Sequence, residues 1–320
     1  MSHRDSFIKK NRELSKPLDL FNVGFVGAVS TPAAPVSATT GVFGGGSTGA
    51  NSNVIDYVTI ATTGNAIDFG DLSVTRKSLT ACASSTRGLF GGGYTGAVSN
   101  VIDYITIATT GNATDFGDLT VARNALGACA SSTRGVFGGG STGANSNVID
   151  YVTIATTGNA TDFGDLTVGR SYLAGCASST RGVFGGGSTG SPSNVIDYIT
   201  IATTGNATDF GDLSVARQAL GACASSTRGL FAGGYTGAYS NVIDYITIAT
   251  TGNATDFGDL TVNRPGTSGC ASPTRGLFGG GVAAVFYNVI DYVTIATTGN
   301  ATDFGDLTVA RDLPGACAGS

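Results

Sequence analysis

The side chains of this sequence that could do chemistry recur at one fixed interval. Cysteine occurs once every 47 residues, at Cys82, Cys129, Cys176, Cys223, Cys270 and Cys317. The tetrapeptide Asp-Phe-Gly-Asp, first found at Asp68–Asp71, occurs six times with the same spacing. The only histidine is His3, so the repeats cannot hold a Ser-His-Asp or Cys-His catalytic arrangement.

Each of these repeated groups has two interpretations. The cysteines are typical of small buried residues in a reducing compartment, with a ring of metal-binding thiolates as the alternative. Oxygen atoms of Asn65, Asp68 and Asp71 would suit Ca²⁺. We favour a structural role in which the aspartates cap turns and pair with arginines, as Asp115 with Arg134. We therefore expect no catalytic residue, no metal and no cofactor.

The elements that must position these groups repeat with the same step. One full repeat contains four predicted strands separated by clusters of Gly, Ser, Thr and Asn, which are turn-forming residues. The strands are Ala128–Ser131, Gly135–Gly138, Asn147–Ala155 and Asp162–Val168. No segment has helical periodicity, and the third and fourth strands are apolar on both faces, as in a sheet covered on both sides. We predict an all-β fold, a six-bladed β-propeller with the strand of small residues nearest the axis.

The repeat resembles the kelch repeat. A kelch blade has a Gly-Gly pair after its second strand, a Tyr on the third strand and a large aromatic residue on the fourth. Gly44-Gly45, Tyr57 and Phe69 occupy these places, although kelch repeats have Trp where this sequence has Phe. The resemblance covers residues 39–320 and implies a propeller fold, whereas propellers serve many functions.

The two ends of the repeat region predict how the ring closes. The first repeat starts at its second strand, Thr40–Phe43, and the chain ends in a first strand within Pro314–Ala318. We expect this C-terminal strand to complete the first blade, which removes the open edges of the sheet. The predicted domains are therefore an arm, residues 1–38, and the propeller, residues 39–320.

Differences among the six copies lie on one side of the predicted disc. The turns between strands one and two and between strands three and four are nearly identical, and we call their side the invariant face. The loops between strands two and three, and the connectors from strand four to the next blade, diverge and form the variable face. Aromatic side chains favoured at interfaces make this face a candidate binding surface. They are Tyr94, Tyr172, Tyr235, Tyr239, Phe286 and Tyr287.

Divergence of these loops has a neutral alternative, because tolerant loops drift in sequence. The copy in the sixth blade, Val282–Tyr287, is the most apolar. We expect it either to be a contact patch or to pack against the N-terminal arm.

The N-terminal arm is slightly basic and has no apolar core of the kind found in signal peptides, so we expect no secretion through that route. Its apolar residues are candidates for docking on a neighbouring protein. They are Phe7, Ile8, Leu14, Leu20 and Phe21. The net charge of −5 and the acidity of the repeats are unlike those of a nucleic-acid-binding protein. No apolar run is long enough for membrane insertion.

The consensus that begins at Asn100 and ends at Leu119 resembles repeats in structural proteins of tailed phages, especially those of cyanobacteria and marine bacteria. This resemblance implies a virion component, in the tail, baseplate, fibre or capsid surface, assembled in the host cytoplasm. Its partners would be other virion proteins, bound through the arm in a symmetric assembly, and a glycan or protein of the host surface. The alternative is a cellular kelch-like interaction scaffold or a carbohydrate-binding propeller. Because the repeats lack an acid/base pair, we expect no enzymatic activity.

Overall fold

The computed structural model describes residues 40–319, which form 24 strands in six four-stranded antiparallel sheets. Blade 1 consists of β1 (Thr40–Gly44), β2 (Val54–Thr59), β3 (Ile67–Asp71) and β24 (Gly315–Ala318); blade 2 of β4 (Thr80–Ala83), β5 (Arg87–Gly91), β6 (Val101–Thr106) and β7 (Thr114–Asp118); blade 3 of β8 (Gly127–Ala130), β9 (Arg134–Gly138), β10 (Val148–Thr153) and β11 (Thr161–Asp165). Blade 4 consists of β12 (Ala174–Ala177), β13 (Arg181–Gly185), β14 (Val195–Thr200) and β15 (Thr208–Asp212); blade 5 of β16 (Gly221–Ala224), β17 (Arg228–Ala232), β18 (Val242–Thr247) and β19 (Thr255–Asp259); blade 6 of β20 (Ser268–Ala271), β21 (Arg275–Gly279), β22 (Val289–Thr294) and β23 (Thr302–Asp306).

The six sheets form a closed β-propeller, as predicted. In blade 1 the C-terminal strand β24 pairs with β1 over four residues, from Gly41 opposite Ala318 to Gly44 opposite Gly315. The ring is therefore closed by hydrogen bonds between its first and last strands. None of the residues described forms a helix of the length and apolar character needed to cross a membrane.

The third and fourth strands are shorter than predicted. The fourth strand of blade 3 ends at Asp165 instead of Val168. After Asp165 the chain turns onto the next blade, where Leu166 is buried and the Thr167 hydroxyl donates a hydrogen bond to Asp197. These contacts remove the segment from the sheet, although its alternating residue types look like a strand.

Hydrophobic clusters fill the interfaces between successive blades. The aromatic ring of Phe184 in blade 4 lies where a side chain of Gly138 in blade 3 would be, with a ring atom 2.9 Å from the Cβ position. The thiol of Cys129 likewise lies 2.6 Å from the Cβ position of Gly182 in the next blade. Glycine is required at such places because the neighbouring blade occupies the space of a side chain.

The six cysteines are buried and unpaired, as expected for small apolar residues. Each thiol lies against a glycine of the next blade's second strand, at Gly41, Gly88, Gly135, Gly182, Gly229 and Gly276. Burial raises the pKa of Cys176 and Cys317 to about 12, so these thiols are poor sources of thiolate. Each thiol is thus packed at the interface between two successive blades.

Buried ion pairs join each connector to the blade that follows it. The guanidinium of Arg123, in the connector between blades 2 and 3, lies 2.6 Å from the carboxylate of Asp150 in blade 3, and both side chains are fully buried. Thr120 in the same connector donates its hydroxyl and its backbone N–H to that carboxylate. Equivalent pairs occur at all six junctions, with N···O distances of 2.6–3.1 Å.

Our prediction that Asp115 pairs with Arg134 was wrong. The Arg134 guanidinium lies over the ring of Tyr151, 4.5 Å from its centroid, and donates hydrogen bonds to the carbonyls of Ile201 and Ala202 in blade 4. Asp115 is exposed at the start of the outer strand. The buried ion pair is formed instead by the arginine of the connector, because the connector places this side chain against the buried aspartate of the next blade.

Turns on the invariant face cover the outer edge of the neighbouring blade. In the turn between β10 and β11, the N–H groups of Gly158 and Ala160 donate to the carbonyls of Phe116 and Asp118 in blade 2. The side-chain carbonyl of Asn159 accepts a hydrogen bond from the Asp118 N–H at 3.1 Å. All six blades repeat this arrangement. It explains why these turns are nearly identical in the six copies, and it protects each outer strand from pairing with another chain.

Candidate binding face

The variable face is built from loops whose shape is set by glycine and by backbone hydrogen bonds. After β1, Gly45 and Gly46 adopt left-handed conformations, with φ of 68° and 105°, which turn the chain away from the sheet. The Gly46 N–H then donates to the carbonyl of Arg76 in the following connector. This pairing holds loop and connector together on one face, as predicted.

Each loop pairs with the preceding connector through backbone groups. Tyr94 in the loop of blade 2 exchanges N–H···O bonds with Lys77, at 2.8 and 3.2 Å. Gln218 and Tyr235 form the same exchange in blade 5, at 2.9 and 3.1 Å. Because backbone atoms make these bonds, the side chains can differ between blades while the loop keeps the same backbone position.

A closed ring of backbone hydrogen bonds surrounds the axis on this face. In each connector one N–H donates to the carbonyl of the equivalent residue in the preceding connector, over 2.7–3.2 Å. The six residues are Ser78, Ala125, Tyr172, Ala219, Gly266 and Leu313. All have left-handed φ values between 50° and 74°, although only one of them is glycine. We call this arrangement the axial ring; it was not predicted, because its members share no residue type.

The axial ring surrounds the mouth of a central depression of about 70 Å³. Its wall consists of the small residues of the six inner strands and of connector residues that include Leu79 and Tyr172. On the invariant face, serines of the turns after the inner strands line a wider cavity of about 330 Å³. Neither lining contains a charged side chain.

Three of the predicted aromatic residues lie in one sector of the variable face. The rings of Tyr235 and Tyr239, both in the loop of blade 5, have centroids 6.1 Å apart and planes inclined by 56°. Tyr172 belongs to the axial ring, and its carbonyl accepts the Ala219 N–H at 2.9 Å. Since Ala219 follows Gln218, the partner of Tyr235, one connector links all three tyrosines. We call these tyrosines and Gln218 the tyrosine sector.

The other predicted aromatic residues lie elsewhere on this face. Tyr94 lies in the loop of blade 2, where Val98 stands in place of a second tyrosine. Phe286 in blade 6 leans towards blade 1, 3.9 Å from the Cβ position of Gly49. Tyr287 stands where the other five blades have a half-buried or buried serine. The six predicted residues therefore do not form one continuous patch.

A charged sector lies where blades 1 and 2 meet. Lys77 and Asp312 occupy equivalent positions in successive connectors. Burial raises the pKa of Asp312, and the positive charge of Lys77 opposes this shift. One carboxylate oxygen of Asp312 is buried and has no hydrogen-bond partner in the described part of the chain. Within the described loops and connectors of this face, Lys77 and Asp312 are the charged residues apart from the six paired arginines.

The predicted arm residues lie outside the described residues; they are Phe7, Ile8, Leu14, Leu20 and Phe21. The first described residue, Thr40, pairs with Thr59 beside a turn of the invariant face. Gly319, the last described residue, follows Ala318, which pairs with Gly41 at the same end of the blade. Both ends of the described ring are therefore on the face opposite the variable loops.

Residues 40–319 contain no group of three or more His, Cys, Asp or Glu side chains suited to a metal ion. A scan against protein-family models and a search of curated proteins found no match. What the geometry does show is a six-bladed β-propeller, an architecture that suggests a role in binding, here with one face that differs from blade to blade.

Proposed function

We propose that this protein is a non-enzymatic binding protein that recognises its partner through the variable face. The separation of roles between the side chains that join the blades and the divergent side chains of the variable face carries this proposal. Side chains that hold neighbouring blades together, such as Arg123, Asp150 and Asn159, have a counterpart in every copy. The loops of the variable face are held to the connectors by backbone hydrogen bonds, so their side chains are not needed for this purpose. Divergence is thus concentrated where it can change recognition without weakening the ring.

The distribution of charge supports a binding role over a catalytic one. General acid/base catalysis needs titratable groups within hydrogen-bond reach of one reacting centre. Lys77 and Asp312 lie in two successive connectors and do not form an ion pair, and the tyrosine sector contains neither. Aromatic side chains on a rigid frame are instead the residues that dominate binding surfaces.

Within the class of binding proteins, we propose that the chain is a structural component of a tailed-phage virion. The resemblance of its consensus to phage repeats supports this proposal. The arm is joined to the ring at Thr40, on the invariant face. Anchoring through its apolar residues to another virion protein would leave the variable face available to bind a host surface.

Two experiments test these proposals separately. Mass spectrometry of gradient-purified particles from the source lysate should detect the full chain as a particle protein; its restriction to the particle-free fraction would refute the virion proposal. For binding, the full chain is labelled and incubated with candidate host cells. A variant whose loops and connectors all carry the sequence of blade 3 should bind them much less, and equal binding would refute the role of the variable face.

A further inference from the structure

The tyrosine sector has the composition of a sugar-binding site. Tyr239 is 47% exposed and Tyr172 is 36% exposed, whereas the ring of Tyr235 is supported by that of Tyr239. The two rings are inclined by 56°, so they meet at an angle and do not form a flat stack. The face of an aromatic ring carries negative charge and attracts weakly positive C–H groups, which one side of a pyranose ring displays.

Polar groups beside the rings are neutral. Gln218, half-buried next to Tyr235, has a side-chain amide that can both donate and accept hydrogen bonds. The tyrosine hydroxyls add further groups that do both, and the Thr236 hydroxyl, which donates to the carbonyl of Ala238, can accept. A sugar hydroxyl also donates and accepts, so these partners match it without requiring a charge.

Charge decides between classes of saccharide. In the loops and connectors of blades 4 and 5, the charged side chains are Arg170 and Arg217, and both are buried in ion pairs with aspartates. An acidic saccharide would have no counterion in the tyrosine sector, and burying its carboxylate there would be unfavourable. The charged sector with Lys77 and Asp312 belongs to blades 1 and 2, away from this site.

We infer that the tyrosine sector binds a neutral saccharide, with a pyranose packed against the exposed ring of Tyr239 beside Tyr235 and the chain extending past Gln218 towards Tyr172. This inference rests on the proposed role of the variable face and names the class of its ligand. Tyr172 supplies the second contact because its position in the axial ring is fixed by backbone bonds on both sides. Binding by such a preorganised site loses little conformational entropy.

The test uses the full chain and two matched variants. The first, Tyr235→Ser with Tyr239→Asn, gives the blade 5 loop the residues of blades 1 and 3 at these two positions, so the ring accommodates it. The control, Tyr94→Ser, makes the same change in blade 2, where no second tyrosine is present. Saturation-transfer NMR and calorimetry are performed with neutral glucans, mannans and galactans and with a polyuronate.

We expect at least one neutral polymer to bind the full chain and the control equally, and the double variant to bind it about tenfold or more weakly, as for a lost aromatic anchor. The affinity should be unchanged between about 0.05 and 0.5 M salt, because no ion pair contributes. Selective binding of the polyuronate, or equal binding by the double variant, would overturn the inference. If host cells bind the full chain and the double variant equally, the saccharide inference fails while the proposed function stands. If the chain and its blade 3 loop variant bind cells alike, the proposed function fails as well.

Discussion

Removing one partner of the buried pair between Arg123 and Asp150 tests what holds successive blades together. In the Arg123→Met variant the Asp150 carboxylate keeps its hydrogen bonds from Thr120 but loses its counterion 2.6 Å away. Both side chains are fully buried, so the carboxylate is left without its counterion in a site shielded from bulk solvent. Breaking such a pair costs about 3–5 kcal/mol. The whole free energy of unfolding of a domain is typically about 5–15 kcal/mol, so the loss is a large part of it.

Urea denaturation followed by circular dichroism measures this loss, and Arg134→Met is the matched control. Arg134 lies over Tyr151 and donates to carbonyls of the next blade, but it is only half-buried and has no aspartate within ion-pair distance among residues 40–319. We expect the control to lose about 1–2 kcal/mol. An Arg123→Met variant that is no less stable than Arg134→Met would refute the reasoning.

The double variant Arg123→Met with Asp150→Asn measures how much of the stability loss comes from the interaction between the two side chains. The Nε atom of Arg123 is buried and has no hydrogen-bond partner among the residues described, so not every polar group of the native pair is satisfied. Replacing both charges should therefore recover about half or more of the stability lost by Arg123→Met alone. Additive losses would show that the two residues contribute independently, contrary to the structure.

Four further results are expected from thermal and urea denaturation of the folded ring. Ending the chain at Asp312 removes the strand that completes blade 1 and should lower the melting temperature sharply; unchanged melting would refute closure by β24. Gly182→Ala should cost about 1–3 kcal/mol because its Cβ meets the Cys129 thiol, and Cys129→Ala should restore part of this loss. Ala125→Gly should stabilise the ring by up to about 1 kcal/mol by relieving a left-handed φ of 53°; destabilisation would contradict this. Burial raises the pKa of Asp312, so its ionisation destabilises the fold at neutral pH and this penalty fades as pH falls below that pKa; Asp312→Asn should stabilise more at pH ~7 than at pH ~4.

The fold could be predicted from the sequence because every blade repeats the same pattern. A strict step of 47 residues indicates six equal units, and the first strand that is missing from the first repeat is present after the last one. Strand ends were less predictable. Thr167 has the residue type of a strand, and only its bond to Asp197 in the next blade takes it out of the sheet.

The ion pair was assigned to the wrong arginine because each repeat contains two. Nothing in residue type distinguishes Arg123 from Arg134, and either could face an aspartate. Only the tertiary structure distinguishes them. The connector brings Arg123 to the buried carboxylate of Asp150 in the next blade, whereas Arg134, at the start of β9, lies over the ring of Tyr151.

The axial ring could not be predicted by any rule based on side chains. Its bonds join backbone groups of residues as different as Ser78, Tyr172 and Leu313. The tyrosine sector was predicted only as a set of separate aromatic residues. Its residues come together because the axial ring joins the connector that leads into blade 4 to the connector that leads into blade 5.

Because backbone hydrogen bonds hold the axial ring together, the side chains at its six positions can be exchanged without loss of the ring. Mutation at positions 78, 125, 172, 219, 266 and 313 changes what the centre displays while leaving the bonds that place it. The left-handed φ at these positions imposes one limit, since β-branched residues fit that conformation poorly, and none of the six is Val, Ile or Thr. A library randomised at these positions, without β-branched residues, would therefore sample new specificities on one unchanged scaffold.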